Sequence, residues 1–112
     1  MAMFMHHYQE HTRKTAIYPE AGTGTKMALA YVALGLAGEA GEIANKVKKL
    51  IRDKDTEELR DAIAKEAGDA MWYLFRTLDE LGVSAADIAL NNIAKLQDRA
   101  TRGVLQGSGD NR

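Results

Sequence analysis

Residues 35–49, GLAGEAGEIANKVKK, and residues 65–74, KEAGDAMWYL, decide how the rest of the chain reads. Each segment holds two carboxylates three positions apart, Glu39 with Glu42 and Glu66 with Asp69, among Ala, Leu and Met residues that favour helix. Side chains three apart share one helix face, so each segment predicts a helix with a carboxylate pair on one side. The polar run from Asp53 to Thr56 separates them, and the two pairs stand almost equally far from its centre near residue 54. An antiparallel hairpin therefore brings all four carboxylates level.

Outward from this hairpin the pattern stays helical. Leu29, Val32, Leu36, Ile43, Val47 and Leu50 recur at helical steps, flanked by the stripe Met27, Tyr31 and Leu34, and predict a helix from Thr23 or Thr25 to Arg52. Asp55 with Glu58 fits a capping box that opens the next helix. Leu59, Ile63, Ala67, Met71, Leu74, Leu78 and Leu81 form its expected core face, and Gly82 stands where a left-handed C-cap belongs. Ser84 then caps a fourth helix to about Thr101, with Ile88, Ile93 and Leu96 expected inward, and residues 3–16 read as a short first helix.

Composition supports this reading. The 112 residues hold 18 Ala and 11 Leu against 4 Val and 6 Ile, and the single proline, Pro19, lies before the long helices. The expected fold is an all-α antiparallel bundle of about four helices, one domain over residues 1–103 with a mobile tail at 104–112. The two central helices, at about 40 Å each, are long for so small a chain, and their wide apolar stripes predict completion by a second copy, as a homodimer or a dimer of dimers. A formal charge of -1 lacks the basic field that nucleic-acid binding needs. No uninterrupted apolar run is long enough for a membrane span, and MAMFMHHYQEHTRK lacks the features of a signal peptide. Absence of cysteine excludes disulfides and thiolate zinc sites, and makes the cytoplasm the expected compartment.

Four clustered carboxylates repel one another unless a cation neutralises them. Oxygen-only donors favour a hard ion, Mg2+ with Mn2+ as a substitute, over zinc. Gly35, Gly38 and Gly41 in one helix and Gly68 in the other each cost about 1 kcal/mol relative to Ala, which suggests close approach of a helix or a ligand. For either pair alone the plain alternative is a salt bridge to Lys46 or Lys65 on a solvated face. Two level pairs beside glycine favour a shared cation.

Other residues extend this chemistry. Lys46 and Lys49 follow Glu42 on its own face, and Asn92, Lys95 and Arg99 form one stripe of the fourth helix, so both sets are candidate phosphate ligands. Against this, Lys46, Lys48, Lys49 and Arg52 also suit a helix C-terminus, and the later stripe suits a solvated face. Trp72 and Tyr73 flank the face of Asp69 as candidates for stacking on a nucleobase, the alternative being simple core packing. His7 and His11 have the spacing of a helical metal pair but no third ligand in view, and read as surface residues.

GLAGEAGEIANKVKK, then EAGDAMWYL, then NNIAKLQDRATRG resemble the MazG-like branch of the all-α nucleoside triphosphate pyrophosphohydrolases, over roughly residues 8–103. That family is marked by an E-x-x-E pair and, beyond a short hairpin, an E-x-x-D pair; N-x-x-K-L-x-x-R follows on a later helix. The resemblance implies that Glu39, Glu42, Glu66 and Asp69 bind Mg2+ and that the chain cleaves a nucleoside triphosphate to the monophosphate and pyrophosphate, for pool control or house-cleaning. Where the family commonly ends its last helix with Arg, an aromatic, Pro, Arg and Gly, this chain has Arg99, Ala100, Thr101, Arg102 and Gly103. Two alternatives stand beside this expectation: a phosphoribosyl-ATP pyrophosphohydrolase, and a non-catalytic helical module in which metal merely stabilises an acidic cluster. Lysines and arginines converging on the carboxylates distinguish a triphosphate site from a structural one.

Overall fold

The computed structural model describes residues 3–111, and among them finds four helices and no strand. Helix α1 spans Met5–Lys14, α2 Lys26–Arg52, α3 Glu57–Glu80 and α4 Ala85–Thr101. Thr25 caps α2, accepting from the Ala28 N–H at 3.3 Å, and Ser84 caps α4, accepting from Asp87 N–H at 3.3 Å. The cap of α3 differs from expectation. Thr56, not Asp55, accepts from the Leu59 N–H at 3.2 Å, while Asp55 is held by the Arg60 guanidinium, Nε at 2.7 Å. Asp55 stands one residue before the cap, and its carboxylate turns to the guanidinium five positions on. Gly82 has φ +74°, and Val83 N–H donates to Leu78 O at 3.1 Å, closing α3 as its position predicts.

Helices α2 and α3 form the expected hairpin and pack along each other. Their upper halves meet the segment between α1 and α2. Tyr18, Ala28 and Val32 are buried there, with Trp72 and Tyr73 packed against them and Tyr31 stacked on Tyr18 at 5.2 Å between ring centres. Charged groups staple this end. Arg76, 1% exposed, donates to Tyr18 Oη, to Asp79 at 2.9 Å and to Glu80 at 3.2 Å. Glu80 also accepts from the Tyr18 hydroxyl and from the N–H groups of Gly22 at 2.7 Å and Gly24 at 2.9 Å, so one carboxylate fastens the loop to α3. Asp79 accepts in turn from Arg13 and Gln9 of α1.

The buried stripe of α3 is thus Phe75, Arg76 and Glu80, whereas Met71, Leu74 and Leu81 of the expected core face are 45–55% exposed. Ile88, Ile93 and Leu96 of α4, expected inward, are likewise exposed, because the short turn after α3 lays α4 along α1 and away from α2. The result is open. The radius of gyration is 16.8 Å, where a compact domain of this length has roughly 13 Å. By length and hydropathy α2 is also the one helix among the described residues that could cross a bilayer, a property hidden from a search for uninterrupted apolar runs. It packs lengthwise on the charged helix α3 and carries Glu39, Glu42 and Lys46 at its middle.

Candidate metal and phosphate site

The hairpin brings Glu39, half-buried on α2, to Glu66 and Asp69 on α3. One oxygen of each lies within 4.8 Å of the other two. Glu42 is outside that group. Its carboxylate is 56% exposed and lies 3.6 Å from Lys46 Nζ one turn on, while the same Nζ reaches across the hairpin to Glu66 Oε1 at 3.3 Å. Lys46 therefore bridges the two carboxylate-bearing helices.

Crowding shapes the protonation of the cluster. Glu39 is held above the usual carboxylate range, first by a hydrogen bond shared with Glu66, then by burial and by the charges of Asp69, Glu66 and Glu42. Glu66 moves down because that bond and the Lys46 ammonium favour its charged form. A cation bound between the two carboxylates would offset this crowding. Three oxygen ligands from two rigid helices, with no sulfur or imidazole among them, fit a hard divalent ion. A fit to zinc would need softer donors.

Glycine at position 35 is explained by contact. A Cβ there would stand 2.2 Å from Cε1 of Tyr73, so the missing side chain lets the tyrosine ring enter the α2–α3 seam. Gly38, Gly41 and Gly68 face open space, so the close approach expected of them is not made within one chain. Trp72 donates from Nε1 to Thr15 Oγ1 at 2.8 Å and meets Tyr18 and Tyr73 edge-on. Both aromatics are half-buried against the core, and the Tyr73 hydroxyl is pushed up by burial, then by Tyr31, Glu39 and Asp69.

The cations divide. Lys46 joins the cluster; Lys49 lies in the last turn of α2, where its charge acts on Asp53. Asn92, Lys95 and Arg99 are not brought to the carboxylates in one chain, since α4 touches α1 and α3 but no part of α2. Lys95 and Arg99 instead meet residues 104–111, expected as a mobile tail, which turn back over α4; Arg112 and residues 1–2 lie outside the described residues. His7 and His11 are exposed. Sequence reasoning missed the Arg76, Asp79, Glu80 and Tyr18 network, whose signal was a run of charges continuing the Trp72 face into the last turns of α3.

The sequence profile of the MazG nucleotide pyrophosphohydrolase domain matches residues 29–104, a span that includes every carboxylate and cation of the site. The chain is 52% identical over 109 residues to the Gene 37 protein of Mycobacterium phage L5, covering 94% of this chain and 96% of that protein. No solved structure matches it. With the hairpin, its facing carboxylates and the profile in agreement, the chain belongs to the MazG nucleotide pyrophosphohydrolase family.

Proposed function

We propose that this chain hydrolyses a ribo- or deoxyribonucleoside triphosphate to the monophosphate and pyrophosphate in a Mg2+-dependent reaction, as a cytoplasmic enzyme of nucleotide-pool control or house-cleaning. The observation that carries the proposal is the meeting of Glu39, Glu66 and Asp69 with Lys46 in the middle of the α2–α3 hairpin. Glu39, Glu66 and Asp69 would hold the ion, with Glu42 completing the set, since its exposed carboxylate is tied to Lys46 by a loose pair. Mg2+, or Mn2+ in its place, supplies positive charge that screens the triphosphate and polarises its anhydride.

Lys46, paired with Glu66 at 3.3 Å, would be the nearest cation for a phosphate once Glu66 holds a metal ion, with Lys49 one turn further along α2. A carboxylate of the four not fully engaged by the ion takes the proton of the attacking water. Trp72 and Tyr73 contribute their uncovered edges to the base. Asn92, Lys95 and Arg99 complete the phosphate contacts from the α4 of a second copy. Within one chain they are remote from the cluster, and the accessible surface of 7925 Å² exceeds the roughly 6100 Å² of a compact monomer of this mass by more than the roughly 800 Å² that one partner contributes to an ordinary interface.

Pyrophosphate release should be measured over a panel of standard and modified nucleoside triphosphates and phosphoribosyl-ATP, with Mg2+, Mn2+ or EDTA. Cleavage of nucleoside triphosphates that EDTA abolishes is the expected result. Turnover of phosphoribosyl-ATP alone, or metal binding with no turnover of any substrate, would replace this reading.

A further inference from the structure

Beyond Gly103 the chain does not leave α4. Val104 N–H donates to Arg99 O at 2.9 Å, and the segment then doubles back, with Gly109 in the left-handed region at φ +83°. Its one acidic residue, Asp110, lands on the cationic stripe of α4. Arg99 Nη2 donates to Asp110 O at 2.7 Å and lies 3.4 Å from Asp110 Oδ1, which is also 3.4 Å from Lys95 Nζ; Gly109 O is 3.5 Å from Nη2. Arg99 is 4% exposed although it is a charged residue near the end of a surface helix, whereas Asp110 remains 83% exposed. A guanidinium so enclosed needs an acceptor. The segment supplies one through a contact that water and salt weaken from the other side.

The geometry points to residues 104–111 as a strap whose Asp110 stands on the Lys95–Arg99 pair in the place of a substrate phosphate, so that strap and triphosphate compete for the same two cations. The inference rests on the reading of Lys95 and Arg99 as phosphate ligands. A single exposed carboxylate cannot hold the pair against a polyanion of several times its charge, so the strap yields to triphosphate and discriminates against weaker anions. Glycines at 103, 107 and 109, all at positive φ, let it swing without rebuilding α4.

The test uses the full chain and inorganic tripolyphosphate with Mg2+ at fixed ionic strength, titrated calorimetrically. Asp110→Asn should bind tripolyphosphate about two- to fivefold more tightly, the range that loss of one exposed ion pair corresponds to. Asp98→Asn, which removes the same charge from α4 beside Arg102, should not. Lys95→Ala should bind more weakly. In the parent chain the amide resonances of residues 104–111 should shift toward their Asp110→Asn positions as tripolyphosphate is added. If Lys95→Ala weakens binding while Asp110→Asn does not tighten it, or tightens it no more than Asp98→Asn, the strap is overturned and the phosphate reading stands. Stationary tail resonances at saturation overturn the strap equally. If Lys95→Ala binds as the parent does, the phosphate reading of α4 fails and the competition fails with it.

Discussion

Glu39 is raised above and Glu66 lowered below the ordinary carboxylate range, because the two carboxylates share a hydrogen bond and crowd each other across facing helices while the Lys46 ammonium favours the charge on Glu66. Replacing Glu39, Glu66 or Asp69 by Ala should remove most pyrophosphate release while leaving the metal-free fold as stable as before or more so, since each substitution relieves repulsion. Paired assays of turnover and thermal unfolding check this. Near-normal Mg2+-dependent turnover in two of the three variants would remove the cluster from the mechanism. The aromatic pair makes a more mixed forecast. Truncating Trp72 to Ala takes away a core contact as well as an edge of the proposed base site, so a loss of about 3–5 kcal/mol in stability should accompany any change in substrate ranking. Trp72→Phe is the sharper probe. It loses the hydrogen bond to Thr15 but keeps an apolar ring, and a reordered nucleotide panel in a folded Trp72→Phe variant is the signature of base contact.

At the scale of elements, the hairpin was legible because a three-residue carboxylate spacing and a four-residue polar break are local facts. The packing of α1 and α4 was not. Periodicity marks which side of a helix is apolar, and it correctly found long apolar stripes on α2, α3 and α4; it does not say whether the same chain covers them. Leu74 and Ile93 were expected inward on that ground and are exposed. Arg76 and Glu80 were missed for the converse reason: their charges read as solvated, and only the loop of Tyr18, Gly22 and Gly24 closing over them makes a buried pair possible. The candidate site divided along the same line: spacing predicts the meeting of Glu39, Glu66 and Asp69 across the hairpin, but it also predicts Glu42 among them and cannot place α4.

That staple predicts a pH dependence. Burial works to raise Glu80, but Tyr18, the Gly22 and Gly24 amides and Arg76 outweigh it, and Arg13 foremost lowers Asp79. A carboxylate lowered in the folded state contributes stability that is complete above its unfolded value, about pH 4, and is lost as pH falls through the folded one. Acid should therefore open the α1 end first. Glu80→Gln should cost about 3 kcal/mol near neutrality, and its difference from the parent in urea midpoint should shrink below about pH 4. A difference constant from pH 7 to pH 3 would count against the staple. Gly35→Ala tests the seam between α2 and α3. Crowding the Tyr73 ring should cost about 1–3 kcal/mol, more than the roughly 1 kcal/mol that Ala returns in helix propensity. In a Tyr73→Ala background the same change should become stabilising, and a double-mutant cycle reads that reversal directly.

For the whole molecule, the open shape and the remote cations pose one question, since apolar faces on α2, α3 and α4 lie uncovered while Asn92, Lys95 and Arg99 sit away from the carboxylates they would serve. The second copy proposed above would answer both. Leu34 at 74% exposed and Leu90 at 63% are among the largest uncovered side chains, and burying each fully is worth about 1.5–3 kcal/mol. Light scattering at micromolar concentration should thus find a dimer or larger assembly, and Leu34→Glu or Leu90→Glu should shift it toward monomer with loss of turnover. Shared sites make a stronger demand. In a two-fold assembly whose sites take carboxylates from one chain and α4 cations from the other, Glu66→Ala and Lys95→Glu chains are each defective at every site. Mixed after partial unfolding and refolded together, they should regain roughly a quarter of parental turnover, because half of randomly paired dimers are mixed and each mixed dimer has one intact site. Recovery rises from near zero only if the two halves of a site come from different chains. A mixture no more active than its components, in samples shown by scattering to have exchanged subunits, would mean that the two halves of a site do not come from different chains. A Lys95→Glu chain with parental turnover would instead place α4 outside catalysis and leave Lys46 and Lys49 as the phosphate contacts of each separate hairpin.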